Sequence, residues 1–166
     1  MLESKIKVLI VDDSAVVRQT LSAIINSDSQ LEVVAVASDP YFAKDKIISK
    51  KPDVITLDID MPRMDGLTFL KIIMSQNPIP VIVISSRTSE GSIDAIKALE
   101  YGAVDILCKP QVHQDEFLEE SKIIICDAIK AAARAKIVRM KSSIETPVAS
   151  IQVQPKYKTD DVLQKM

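Results

Sequence analysis

The chain has 166 residues, 47% apolar, 27% charged and 4% aromatic, with 21 basic and 23 acidic side chains and a net charge of -2. That size supports one domain with its own core plus at most a tail, and the near balance of charge argues against a nucleic-acid or anionic-membrane surface. Only three glycines (66, 91 and 102) and one histidine, His113, are present, which excludes Gly-rich phosphate loops, HExxH and two-His metal sites.

In chain order, the first apolar, β-branched run is Ile6–Val11, closed by Asp12-Asp13-Ser14. Val16, Val17, Thr20, Leu21, Ile24 and Ile25 then recur at helical spacing. A second run is Leu31–Ala37, and a third, Val54–Leu57, ends in Asp58-Ile59-Asp60-Met61-Pro62. Leu67, Leu70, Ile73 and Met74 form the next helical stripe. The fourth run, Val81–Ile84, ends in Ser85-Ser86 and precedes a stripe of Ile93, Ile96, Ala98 and Leu99. The fifth, Val104–Leu107, leads to Lys109-Pro110. A last helix is predicted from near Asp115 to about Val138, acidic at its start (Asp115, Glu116, Glu119, Glu120) and basic at its end (Lys130, Arg134, Lys136, Arg139), as the helix dipole favours. The basic cluster up to Lys141 contains no aromatic residue and reads as that helix end, not as a DNA-binding element.

Strands that are apolar throughout, each followed by a helix, predict a parallel sheet covered on both faces. Right-handed crossovers then give a doubly wound (βα)5 sandwich of the α/β class. Residues 1–139 are expected to form this domain, and 140–166, with two prolines and no apolar period, a linker or tail. Asp12-Asp13 interrupts the first apolar run before any signal-type segment forms, and no run approaches the roughly 18 residues of a membrane span. Cys108 and Cys126 lack a CxxC spacing and suit a reduced, cytoplasmic protein without membrane insertion.

The polar residues gather at the carboxyl ends of strands, where open α/β sheets place their sites. If the first and third strands are neighbours, Asp12, Asp13 and Asp58 converge. Two carboxylates about 4 Å apart repel by roughly 4 kcal/mol at an effective dielectric of 20. Such a group needs a cation or a strongly raised pKa, and Lys109 with a hard divalent ion such as Mg²⁺ could supply the positive charge. A capping role for Asp13, Ser14, Ser86 or Ser89, and a plain turn at Lys109-Pro110, are the alternatives for each residue taken singly.

With these residues in place, the chain resembles the receiver domain of two-component response regulators over about residues 5–130. Met61-Pro62-Arg63-Met64-Asp65-Gly66-Leu67, Pro80–Ser86 and Ala98–Asp105 are similar to the receiver of the chemotaxis protein-glutamate methylesterase. The resemblance implies a flavodoxin-like sheet in the order 2-1-3-4-5. It implies Asp58 as phospho-acceptor, with Ser85 and Lys109 as switch residues. Mg²⁺ would be held by Asp12, Asp13, Asp58 and the backbone carbonyl of Asp60, with Asp12 acting mainly through a metal-bound water. A cis Lys109–Pro110 bond is also implied. The implied partners are a sensor histidine kinase, a C-terminal methylesterase effector domain and chemoreceptors; a free-standing receiver, or one serving another effector, is the alternative. The chain itself carries no serine-esterase machinery: no strained Gly-flanked nucleophile accompanies its one histidine, and His113 reads as a surface residue. Two departures from the family pattern stand out. Ile106 occupies the position of an aromatic rotamer switch, and Asp60 lies two residues past the acceptor, where it would affect phosphate lifetime. Asp58-Ile59-Asp60 also matches the DxD of haloacid-dehalogenase-type phosphatases, although two strands precede it here where that superfamily has none.

Overall fold

The computed structural model describes residues 4–59, 65–85, 93–110 and 115–145, and in the last helix the side chains of 119–135. Strands β1 (Ile6–Val11), β2 (Leu31–Ala37), β3 (Val54–Leu57), β4 (Val81–Ser85) and β5 (Asp105–Cys108) alternate with helices α1 (Ala15–Asn26), α2 (Pro40–Lys50), α3 (Gly66–Gln76), α4 (Ile93–Glu100) and α5 (Asp115–Glu145). Every strand pair is parallel, in the order β2-β1-β3-β4-β5. By internal contacts the chain divides after Ala133. Residues 1–133 hold the sheet and its covering helices; residues 134–166 begin with the continuation of α5 to Glu145.

The central strands β3 and β4 are buried at every position, whereas edge strand β5 is half-buried or exposed along its length. Successive side chains point to opposite faces of the sheet, which splits the core in two. Leu9, Val11, Ile55, Leu57, Val81 and Val83 pack with α2, α3 and α4 through residues such as Ala43, Phe69, Leu70 and Ala98. Val8, Ile10, Val54, Ile82 and Ile84 pack with α1 and α5 through Leu21, Ile25, Ile125 and Ile129. Helix starts are fixed by side-chain caps: Ser14 Oγ accepts from Val17 N–H on α1, the Asp39 carboxylate from Tyr41 and Phe42 N–H on α2, and the Asp65 carboxylate from Thr68 N–H on α3.

Two expectations, the end of α5 and the geometry before Pro110, are corrected, and the packing of α4 is refined. The helical stripe of α4 holds, but of its four residues Ala98 alone is buried, together with Ala95, while Ile93, Ile96 and Leu99 are 70%, 49% and 52% exposed. Small side chains three apart let this short helix lie close against the domain, and periodicity marks a stripe without saying which side packs. Helix α5 runs past Val138 to Glu145. Neither Gly nor Pro occurs between Asp115 and Pro147, so nothing along this stretch breaks the helix. No peptide bond among the described residues is cis, so Lys109–Pro110 is trans, the general preference of X–Pro bonds. Cys126 is buried and Cys108 exposed. No described helix is long and apolar enough to cross a membrane.

Thr56 is an exception inside the core. Its hydroxyl is buried in β3, between Ile10 and Ile82 of the neighbouring strands, without a hydrogen-bond partner. An orphaned buried hydroxyl costs about 1–3 kcal/mol, and an apolar group of the same shape removes that cost. Thr56→Val is therefore expected to raise the unfolding free energy by about 1 kcal/mol. The result to look for is a higher urea midpoint with an unchanged slope; a lower midpoint would show that the hydroxyl is satisfied.

Candidate functional site

Adjacency of β1 and β3 builds the site. Val11 lies opposite Leu57, so the residues that follow them, Asp12 and Asp58, leave the sheet side by side. Backbone bonds hold both: Asp58 N–H donates to Val11 O at 2.9 Å, and Asp12 N–H to Ala37 O at 3.1 Å. Each is 1% exposed. Ser14 N–H donates to Asp12 Oδ1 at 2.8 Å, so this serine fixes the carboxylate with its backbone and caps α1 with its side chain.

Lys109 arrives from β5 at the far edge of the sheet. Its Nζ sits 3.3 Å from Asp12 Oδ2 and donates to Asp58 Oδ2 at 3.2 Å, so one ammonium bridges two buried carboxylates. The exposed Asp13 completes an acidic cluster in which Asp12, Asp13 and Asp58 each offer a carboxylate oxygen within 4.8 Å of the others. Burial pushes the Asp12 carboxyl above its usual range, and the Asp13 charge pushes the same way; Ser14 N–H and the Lys109 ammonium only partly pull it back. For Lys109 burial favours the neutral amine, but the attraction of Asp12 and Asp58 outweighs it and holds the ammonium above its ordinary range. The pocket is thus a buried cationic bridge set against an excess of negative charge. Hard oxygen donors, few in number and partly open to water, fit Mg²⁺, which binds through one or two carboxylates and retains several waters.

The structure brings together four residues singled out from the sequence, Asp12, Asp13, Asp58 and Lys109. Ser85 is fully buried at the carboxyl end of β4, where its backbone carbonyl accepts from Lys109 N–H at 3.3 Å. Asp60, with the carbonyl expected to bind metal, and His113 lie outside the described residues, as do Ser86 and Ser89. Ile106 is half-buried against the α2–α4 side of the core. Sequence reasoning passed over Arg18, whose Nη1 donates to Asp12 O at 2.8 Å and clamps the chain between β1 and α1. A cation in the first turn of a helix opposes the dipole preference, and that mismatch was the available signal.

Comparison with known proteins gives a consistent picture. Residues 8–122 match the family model described as the response regulator receiver domain. A curated relative from Geobacter metallireducens, protein-glutamate methylesterase/protein-glutamine glutaminase 3, is 54% identical over 161 residues, which is 97% of this chain and 44% of the relative. The response regulator domain of Thermotoga maritima CheB superposes with a TM-score of 0.72 at 42% identity, covering 78% of this chain and 97% of that one. The CheX-CheY-BeF3-Mg+2 complex from Borrelia burgdorferi gives a TM-score of 0.64 at 29% identity, covering 77% and 89%. The chain spans less than half the length of the curated relatives it matches.

Proposed function

The chain belongs to the response regulator receiver domain family, and from that premise we propose that Asp58 accepts a phosphoryl group from a histidine kinase and thereby regulates a methylesterase domain that follows in the same polypeptide. The observation that carries this reading is the Lys109 bridge to Asp12 and Asp58 at the sheet's carboxyl edge. It leaves an aspartate carboxylate beside a fixed cation, the arrangement a phosphoryl-accepting nucleophile needs.

In the proposed step an Asp58 carboxylate oxygen attacks phosphorus, the bond from phosphorus to the donor's imidazole nitrogen breaks, and that nitrogen regains a proton. The product is an acyl phosphate. Asp12, Asp13 and Asp58, with the Asp60 carbonyl, are the residues that would hold Mg²⁺, Asp12 mainly through a water. When bound, the ion offsets charge on the transferring oxygens. Lys109 pairs with the phosphoryl oxygens, and Ser85 donates a hydrogen bond to them. Bonds made only to the phosphorylated form supply the differential interaction that a two-state switch requires.

The curated relatives suggest the wider setting. Their names are those of methylesterases more than twice the length matched here, so residues 1–139 are read as the regulatory part and 140–166 as the connector to the enzyme. A sensor kinase and chemoreceptors are the partners of such an assembly, and the cytoplasm is its compartment. The receiver family match sets aside the phosphatase alternative. Incubation with acetyl phosphate and Mg²⁺, followed by intact-mass measurement, is expected to add one phosphate per chain and to require Mg²⁺. Sustained phosphate release over many turnovers, or no labelling, would overturn the reading.

A further inference from the structure

We propose that Gly66 is a positioning residue for phosphoryl transfer, holding the Asp58–Ile59 peptide so that the acceptor carboxylate meets Lys109; this rests on Asp58 being the acceptor. Gly66 is the first residue of α3, and its N–H donates to Ile59 O at 3.1 Å. A Cβ at this position would stand 2.3 Å from Ile59 Cα and 2.5 Å from Asp58 O, both backbone atoms directly at the site. Its φ is not positive, so space and not conformational freedom demands glycine here. Gly102 is the opposite case, with φ 111° and only the flexible Met74 side chain nearby. The start of α3 is itself fixed, because Asp65 Oδ1 accepts from Thr68 N–H at 3.0 Å. A continuous chain of contacts therefore runs from the α3 cap through Gly66 to the Asp58 backbone, and from the Asp58 carboxylate to Lys109 at 3.2 Å.

Adding a methyl group must drive α3 and the acceptor backbone apart by about an ångström, a displacement that at a reacting centre costs on the order of 100-fold. The test compares the full chain with Gly66→Ala and Gly102→Ala, well below their melting temperatures. It measures the rate of phosphate incorporation from acetyl phosphate and Mg²⁺ affinity by calorimetry, with circular dichroism reporting the fold. Gly66→Ala is expected to be labelled at least tenfold more slowly and to bind Mg²⁺ more weakly. Gly102→Ala is expected to melt earlier yet stay within twofold of the parent in both. A folded Gly66→Ala within twofold of the parent, or an equal slowing in both variants, overturns the proposal. If Gly66→Ala does not fold, Asp65→Ala loosens the same helix start without adding an atom: a rate at least threefold below the parent supports the proposal, and the parental rate overturns it. Absence of labelling in the parent chain is a separate outcome that overturns the acceptor assignment itself.

Discussion

Asp58→Asn is expected to abolish phosphate incorporation from acetyl phosphate while leaving the fold intact. Asparagine has the shape of aspartate, and the backbone bond from residue 58 N–H to Val11 O does not involve the side chain. What is lost is the anionic oxygen that attacks phosphorus. An amide is a far weaker nucleophile, so a fall of at least about 100-fold, or some 2.7 kcal/mol in the barrier, is expected. The substitution also removes one of the clustered negative charges, so the variant should unfold no more readily than the parent in Mg²⁺-free buffer. Intact-mass measurement over a time course gives the answer. Labelling of Asp58→Asn to the parental extent would place the acceptor elsewhere, whatever the rest of the pocket does.

Lys109→Met is expected to destabilise the Mg²⁺-free protein by about 3 kcal/mol at pH 8, and by much less near pH 5. Asp12 and Asp58 are each 1% exposed, and the Lys109 side chain, 18% exposed, sets its ammonium 3.3 and 3.2 Å from these two desolvated carboxylates. Removing it takes one positive charge away from two buried carboxylates. The sign follows from linkage. Burial already raises the Asp12 carboxyl above its ordinary 3.8, and loss of the cation raises it further. A carboxyl that holds its proton more tightly when folded makes stability fall as pH rises from the unfolded pKa through the folded one. The variant therefore recovers in acid, where the carboxyl is neutral, and suffers in full at alkaline pH. In the parent, the Lys109 ammonium is raised above its ordinary 10.5, so its own contribution is complete below that value and is lost as pH climbs through the folded pKa. Mg²⁺ should narrow the difference between the two proteins by supplying positive charge. Urea unfolding at pH 5 and pH 8, with and without Mg²⁺, tests this; a deficit that does not change with pH would mean that Lys109 acts through packing of its stem.

The limits of one-dimensional reading show in particular residues. The five strands and their polar carboxyl ends were legible because each is a local pattern of β-branched residues broken by Asp, Ser or Lys. The convergence of Asp12 with Asp58 followed only once the first and third strands were taken as neighbours, which the β2-β1-β3-β4-β5 order provides. Helix α4 was legible as a helix but not in its packing: of the stripe Ile93, Ile96, Ala98 and Leu99, Ala98 alone is buried, together with Ala95. Its hydrophobicity lies on one side and its fit to the domain on another. The extension of α5 was readable after all, in the absence of any breaker before Pro147.

By itself the sequence determined the class of the fold, the number of βα units and the chemistry waiting at the strand ends, since periodicity and residue type are carried by neighbours along the chain. Only the tertiary structure decided which charges are buried, that Lys109 spans Asp12 and Asp58 at 3.3 and 3.2 Å, that Arg18 grips the Asp12 carbonyl, and that Gly66 leaves no room for a methyl group beside Asp58. The physical reason is the same in each case. These are distances between segments far apart in sequence, set by strand order, register and helix placement, and the energies of burial and charge depend on those distances and on the water they exclude.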